Sequence, residues 1–338
     1  MTANAEAIAQ AARLLEEGKL VAIPTETVYG LAADADNPQA VAAIFAAKGR
    51  PAHHPLIVHV AKDADLSHWA VEIPPAAEQL MAAFWPGPLT LILKRAAGVA
   101  AVITGGQDSI GLRCPAHPVA QALLNQFRQG QGGVAAPSAN RFGRVSPTTA
   151  QHVIDEFGAP GVGPIAQVLD GGACAVGIES TIVDLTRLAT HGPVLLRPGQ
   201  ISTQQIEKVL GCSLALADQA APRVSGSLDA HYAPHTPLAL ISASDFATTV
   251  AALEKKGRRV ESLYIDTEIA DATRMPADPH QYAQALYAQL RRLDQAGADL
   301  ILLEQPPISA EWQAINDRLR RAAFDSAGVL QRLLEKSV

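Results

Sequence analysis

Aromatic residues make up only 4% of this 338-residue chain, and cysteine is scarcer still, with Cys114, Cys174 and Cys212. Three cysteines far apart, odd in number and without a CxxC pair argue against a disulfide framework and a cysteine-based zinc site, and read best as small apolar fillers. No stretch of eighteen uninterrupted apolar residues is present, so no transmembrane helix is expected. The start, "MTANAEAIAQAARLLEEGK", is amphipathic with glutamates where a secretory signal needs a continuous apolar run, which points to a cytoplasmic protein. An excess of either charge is also lacking. Lys plus Arg total 27 against 33 Asp plus Glu, a net charge of −6, so no global field steers the chain towards nucleic acid or an anionic membrane. An anionic ligand must therefore be held by local cations. Missing too are a Walker GxxxxGK[ST], a GxGxxG opening a helix after a strand, and any repeat of about 20 to 50 residues. A nucleotide site must be of another kind.

What the chain has is a hydrophobic content of 48% and a length that predicts roughly two domains. From Lys19 to about Leu210, "LVAIPT", "LIVHV", "LTLILK", "SIGLRCP", "GVAAPS", "QVLDG", "STIVDLT" and "VLLRPG" read as strands. Between some of them, "PQAVAAIFAAKG", "PAAEQLMAAFW", "HPVAQALLNQF", "TTAQHVIDEFG" and "STQQIEKVLG" show the spacing of helices. Several strands follow one another without a helix, which predicts a mixed sheet. Residues 1–211 are expected to form this first domain. Residues 212–236 lack periodicity and are rich in Ala, Ser, Gly and Pro, as a linker is. Residues 237–338 alternate strand and helix regularly, predicting a smaller doubly wound α/β domain in which Tyr282, Leu286, Leu290 and Leu293 face a core.

Two stretches are dense in chemistry. In "IPTETVYGL", hydroxyls of Thr25 and Thr27 follow a strand, where they either hold a polar ligand or bond their own turn. Lys48 and Arg50 follow at the end of a helix, stiffened by Pro51 and Pro55 around His53 and His54, so a pair of dipole-stabilised cations and an anion clamp are both open readings. In "APSANRFGRVSPTTAQHV", Ser138, Asn140 and Ser146 offer hydroxyl and amide groups, Arg141 and Arg144 offer charge, and Thr148 or Thr149 can cap the next helix. Arg113 and Arg197 lie in apolar strands, and a buried arginine is costly without an anion. His231 and His235 in "HYAPHTP" lack a third ligand at zinc spacing, and His59 in "LIVHV" stands alone. The residues thus imply a cation-lined, hydroxyl-rich cleft for an anionic small molecule, without fixing the reaction.

The ordered set "PTETVYGL", "KGRP...HPLIVHV", "PSAN...SPT", "STIVD", "LRPG" and "HYAP" resembles the YrdC-like family, and the second α/β unit resembles that of its two-domain threonylcarbamoyl-AMP synthases. The resemblance spans nearly the whole chain. It implies a YrdC-like twisted mixed sheet with flanking helices plus a smaller C-terminal Rossmann-like α/β domain. The implied reaction is synthesis of L-threonylcarbamoyl-AMP and pyrophosphate from L-threonine, bicarbonate and ATP, with magnesium on the triphosphate. The implied downstream partner is the machinery that transfers the threonylcarbamoyl group to the adenosine beside the anticodon of tRNA, with no membrane and no stable DNA partner. By motif, Thr27, His59, Arg113 and Ser180 correspond to threonine contacts. Arg50, His54, Ser109, Ser138, Asn140, Ser146, Arg197 and Tyr232 correspond to ATP contacts. Lys48 and Arg50 form the family's Lys-x-Arg signature, implying catalytic cations. Tyr232 would act as a lid, with Gly226 and Ser227 as its hinge. The chain departs from the pattern at His54, where the family has Asn or Asp.

Two other readings are weighed. Carbamoyl transfer in hydrogenase maturation shares a YrdC-like domain, but in larger proteins with Cys-rich zinc fingers and an acylphosphatase unit, which this chain lacks room for. An RNA-binding module would need a basic face, whereas residues 1 to 237 hold fifteen Lys plus Arg against nineteen Asp plus Glu.

Overall fold

The computed structural model describes residues 3–226, 229–267 and 272–335. The chain divides into two compact units, residues 1–142 with 146–227, and residues 143–145 with 228–338. The expected linker, 212–236, is thus shared between them, and Ser227 of the expected hinge lies outside the described residues.

The first unit contains eleven strands among the described residues: β1 (Leu20–Ile23), β2 (Gly30–Asp34), β3 (Ile57–Val60), β4 (Ala70–Val71), β5 (Leu89–Arg95), β6 (Ser109–Arg113), β7 (Gly133–Ala135), β8 (Ile165–Val168), β9 (Thr181–Asp184), β10 (Val194–Arg197) and β11 (Ala215–Leu216). They run in the order β11-β10-β9-β5-β6-β3-β7-β2-β1-β8, with β4 on β5. Pairs β3–β6, β5–β9 and β1–β8 are parallel, and β1–β2, β2–β7, β3–β7 and β5–β6 antiparallel, so the sheet is mixed as expected. Strand β2 was not anticipated. All five of its residues are buried, so it has no polar alternation to mark it, and the Thr-rich turn before it dominates the local pattern. Strand β11 lies inside the expected linker, pairing Ala215 with Val194.

Alternation along β1 shows why the sheet sits between two layers. Leu20 and Ala22 face one core, which contains Val41, Ile44 and Phe45 of the helix Pro38–Lys48. Val21 and Ile23 face the other, formed with Leu15 of helix Ala5–Glu16 and Leu123 of helix Pro118–Gln126. Each fully buried Leu, Val, Ile or Phe side chain of this kind contributes roughly 1.5 to 3 kcal/mol.

Helix Pro38–Lys48 delivers the Lys-x-Arg segment. Asn37 accepts from Gln39 N and Ala40 N at its start, Pro38 occupies the first turn, and Gly49, at φ 62° in the left-handed region, ends it and turns the chain to Arg50.

The second unit contains four strands among the described residues, β12 (Leu238–Ile241), β13 (Val260–Tyr264), β14 (Thr273–Arg274) and β15 (Leu300–Glu304), in the all-parallel order β12-β15-β13-β14. Phe246, Val250 and Leu253 pack with Tyr264, Leu300 and Leu302, while Tyr282, Leu286, Leu290 and Leu293 are buried as their spacing predicts. Residues 143–145 belong here: Ala233 N donates to Gly143 O at 2.9 Å.

Candidate active site

The turn between β1 and β2 is a hydrogen-bonded knot. Thr25 Oγ1 donates to Val28 O at 2.6 Å, accepts from Val28 N and Thr27 N at 3.2 Å, and lies 2.8 Å from Thr27 Oγ1. Thr25 therefore serves its own turn, while Thr27 takes a place in the wall of a pocket lined also by His59, Arg113, Ser138, Glu179, Ser180, Arg197 and Ser225.

Register brings two of these together. His59 and Arg113 are partners across the parallel pair β3–β6, so their side chains stand side by side at the ends of adjacent strands. Burial, reinforced by the Arg113 charge, pushes the His59 imidazole down to about 3, so it is neutral at physiological pH. Its Nδ1 is buried without a hydrogen-bond partner among the described residues, which suits it to a polar ligand. The anion that Arg113 needs is supplied by the protein itself: Arg113 Nη2 donates to Glu26 Oε1 at 2.7 Å, and Nε to Gly87 O at 3.4 Å.

Ser180 is held from two sides. Thr90 Oγ1 lies 2.8 Å from its Oγ, and Arg197 donates to its carbonyl and hydroxyl and to Ser225 O. Ser146 Oγ donates to Glu179 Oε1 at 2.6 Å, so Ser146 reaches the pocket wall through that carboxylate. Ser109 lines a neighbouring hollow with Gln107, Gly111, Arg223 and Val224, sharing Ile57 and Ser225 with the first.

The cationic segment is organised differently. Lys48 is buried, and its ammonium donates to Ser138 O and Asn140 O at 2.5 Å, while Lys48 O accepts from Phe142 N at 2.8 Å. Lys48 thus fixes the "PSAN" loop by its carbonyls. Burial, reinforced by Arg50, lowers its pKa well below the usual lysine value, with Glu156 and Glu179 opposing. Arg50 Nη2 donates to Pro55 O at 3.0 Å and its guanidinium stands 5.6 Å from the Phe142 ring centroid. His54 meets Phe142 edge-on at 5.2 Å, and burial with the Arg50 charge pushes it down to about 4. Asn140 Nδ2 donates to Arg141 O at 2.7 Å. Thr149 caps helix Ala150–Phe157 by accepting from His152 N, so its role is local.

Tyr232 belongs to the second unit. It adopts φ 61°, stacks 5.9 Å from Tyr287 and lies 5.1 Å from the Arg318 guanidinium. Sequence reasoning passed over Glu26, Thr90, Glu179 and Ser225. Glu26 sits inside "PTETVYGL" and Glu179 directly before "STIVD", but a search for groups that bind anions has no reason to select carboxylates. Among the described residues no group of three or more His, Cys, Asp or Glu could hold a metal ion.

A twisted mixed sheet carrying this pocket, with a parallel α/β unit appended, is the YrdC-like architecture in its two-domain form. Residues 13–199 match the family described as "Telomere recombination", and residues 201–324 match "Threonylcarbamoyl-AMP synthase, C-terminal domain". The chain belongs to the threonylcarbamoyl-AMP synthase family. It is 40% identical over 330 residues to the threonylcarbamoyl-AMP synthase of Pyrococcus abyssi, covering 93% of each chain. To that of Bacillus subtilis it is 40% identical over 337 residues, covering 96% of this chain and 94% of the relative. The crystal structure of P. abyssi Sua5 complexed with L-threonine superposes with a TM-score of 0.87 at 38% identity over 95% of both chains.

Proposed function

We propose that this protein makes L-threonylcarbamoyl-AMP and pyrophosphate from L-threonine, bicarbonate and ATP, the product serving threonylcarbamoylation of the adenosine beside the tRNA anticodon by downstream transferase machinery in the cytoplasm. The observation that carries this reading is the convergence of Thr27, His59, Arg113 and Ser180 on one pocket, in a chain whose relatives bear the synthase name. Arg113 takes the threonine carboxylate as a charge-assisted fork. Neutral His59 and the hydroxyls of Thr27 and Ser180 hold the polar remainder without competing for the carboxylate.

Bicarbonate and the threonine amine condense to a carbamate with loss of water. A carbamate oxygen then attacks the α-phosphorus of ATP, and the bond to the bridging oxygen breaks to release pyrophosphate. Arg50, His54, Ser109, Ser138, Asn140, Ser146, Arg197 and Tyr232 are assigned to ATP. Arg50 and Arg197 stabilise charge on the phosphates, while Lys48 holds the Ser138–Asn140 loop in shape for them. His54 contributes a neutral ring. A magnesium ion on the triphosphate would supply further charge stabilisation at the phosphates alongside Arg50 and Arg197.

The test is pyrophosphate release with each amino acid in turn, with and without bicarbonate. Release is expected with threonine and bicarbonate together. Equal turnover with alanine, or none under any condition, rejects the reading. A salt-dependent tRNA complex without ATP turnover would instead favour the RNA-binding alternative.

A further inference from the structure

The turn between β1 and β2 carries a side chain that the proposed reaction does not use. Glu26 is buried, and its carboxylate oxygens are divided between two partners: Oε1 accepts from Arg113 Nη2 at 2.7 Å and Oε2 from Ala116 N at 2.9 Å. Its backbone is held as well, since Glu26 O accepts from Val176 N at 2.7 Å and the adjoining Thr27 O from Gly177 N at 3.1 Å. One residue therefore joins three segments that are distant in sequence: the turn bearing Thr27, the end of β6 bearing Arg113, and the stretch leading to Ser180.

We infer that Glu26 is a positioning residue of the amino-acid site, holding the Arg113 guanidinium in the orientation that receives the substrate carboxylate and tying that orientation to Thr27 and Ser180. The inference rests on the assignment of Arg113 to the threonine carboxylate. A guanidinium has five N–H donors in a rigid plane. The bonds to Glu26 and Gly87 use Nη2 and Nε, which fixes the plane and leaves the remaining donors for a ligand in the pocket that Arg113 lines. Glu26 also compensates the buried Arg113 cation before any ligand binds. Without it, Arg113 would have a single long bond to Gly87 to orient it, and its charge would be free to take any small anion.

The readout that separates positioning from bulk stability is the split between the two substrates. In the full chain, Glu26→Gln keeps the volume but removes the charge and one acceptor. The KM for threonine should rise about tenfold or more, the KM for ATP should stay within about twofold, and kcat at saturating threonine should change far less than kcat/KM. Glu26→Asp keeps the charge on a shorter stem and should fall between the two. A double-mutant cycle with Arg113→Ala should be strongly non-additive in threonine affinity, because either change removes the same oriented fork. Should Glu26→Gln fail to fold, Glu26→Asp alone decides by the same split. Equal rises in both KM values with a lowered melting temperature, or additive effects in the cycle, overturn the inference and leave Glu26 a structural residue. If Arg113→Ala itself leaves the threonine KM unchanged, the assignment of Arg113 fails. If Arg113→Ala raises it and Glu26→Gln does not, only the positioning role fails.

Discussion

Arg197 grips Ser180 at two points, donating from Nε to its carbonyl at 3.0 Å and from Nη2 to its hydroxyl at 3.1 Å, while Nη1 reaches Ser225 O at 2.9 Å. The planar fork orients the Ser180 hydroxyl before a ligand arrives, a form of preorganisation. Arg197→Lys should therefore fail as a conservative change, since one ammonium cannot span three acceptors in that geometry. Catalytic efficiency is expected to fall about tenfold or more, each lost charge-assisted bond being worth roughly 1.5 to 3 kcal/mol. Steady-state pyrophosphate release checks it, and wild-type efficiency in the lysine variant would contradict a shaping role for the fork.

Arg113→Ala should weaken threonine binding by about 1.5 to 3 kcal/mol. ATP binding should change much less, because the lost fork faces the amino acid. Calorimetry with each ligand separates the two. Losses in the opposite order would remove Arg113 from the amino-acid site.

Lys48→Met fills much the same volume but leaves the carbonyls of Ser138 and Asn140 without their donor. Destabilisation of about 1 to 3 kcal/mol for the orphaned acceptors is expected, together with weaker ATP binding as the loop loosens. Denaturant unfolding and nucleotide titration measure these separately. Unaltered stability with lost turnover would point instead to direct contact of Lys48 with substrate.

His59 should stay neutral well into acid. Its folded pKa is about 3, against an ordinary 6.5. As pH falls below about 6.5 the unfolded chain gains a proton that the folded chain does not, so this residue's effect is to lower stability from there down to about pH 3, where it levels off. His59→Asn is expected to flatten that part of the stability profile. In wild type the His59 ring resonances should not titrate near pH 6.5, and a normal titration there would contradict a buried neutral imidazole.

Tyr232→Ala removes a ring from the interior of the second unit, where it stacks on Tyr287. A cost of about 3 to 5 kcal/mol is expected for such a truncation, seen as a lower unfolding midpoint. The lid implied by family resemblance adds a second readout, a lower ratio of intact threonylcarbamoyl-AMP to ATP consumed. Both quantities come from chromatography of one sample. An unchanged ratio in a folded variant would take Tyr232 off the list of nucleotide contacts.

Local physics was enough for much of the fold. Short apolar runs marked β3, β5, β6 and β9, and the apolar spacing of "PQAVAAIFAAKG" marked the helix Pro38–Lys48. The same reading marked Thr27, Arg113, Ser138 and Arg197 as candidates, while His59 and Ser180 entered only through the family that the order of the motifs resembles. Strand β2 escaped because burial on both faces erases the alternation that sequence patterns depend on. What only the tertiary structure decided is which groups meet. His59 stands beside Arg113 because two distant strands pair in one parallel register, Arg113 finds its counter-ion in Glu26, 87 residues away in sequence, and Lys48 turns to two backbone carbonyls. Composition and spacing determine where a charge sits along the chain. Its partner is set by long-range pairing and by the cost of burying that charge alone, and neither is local.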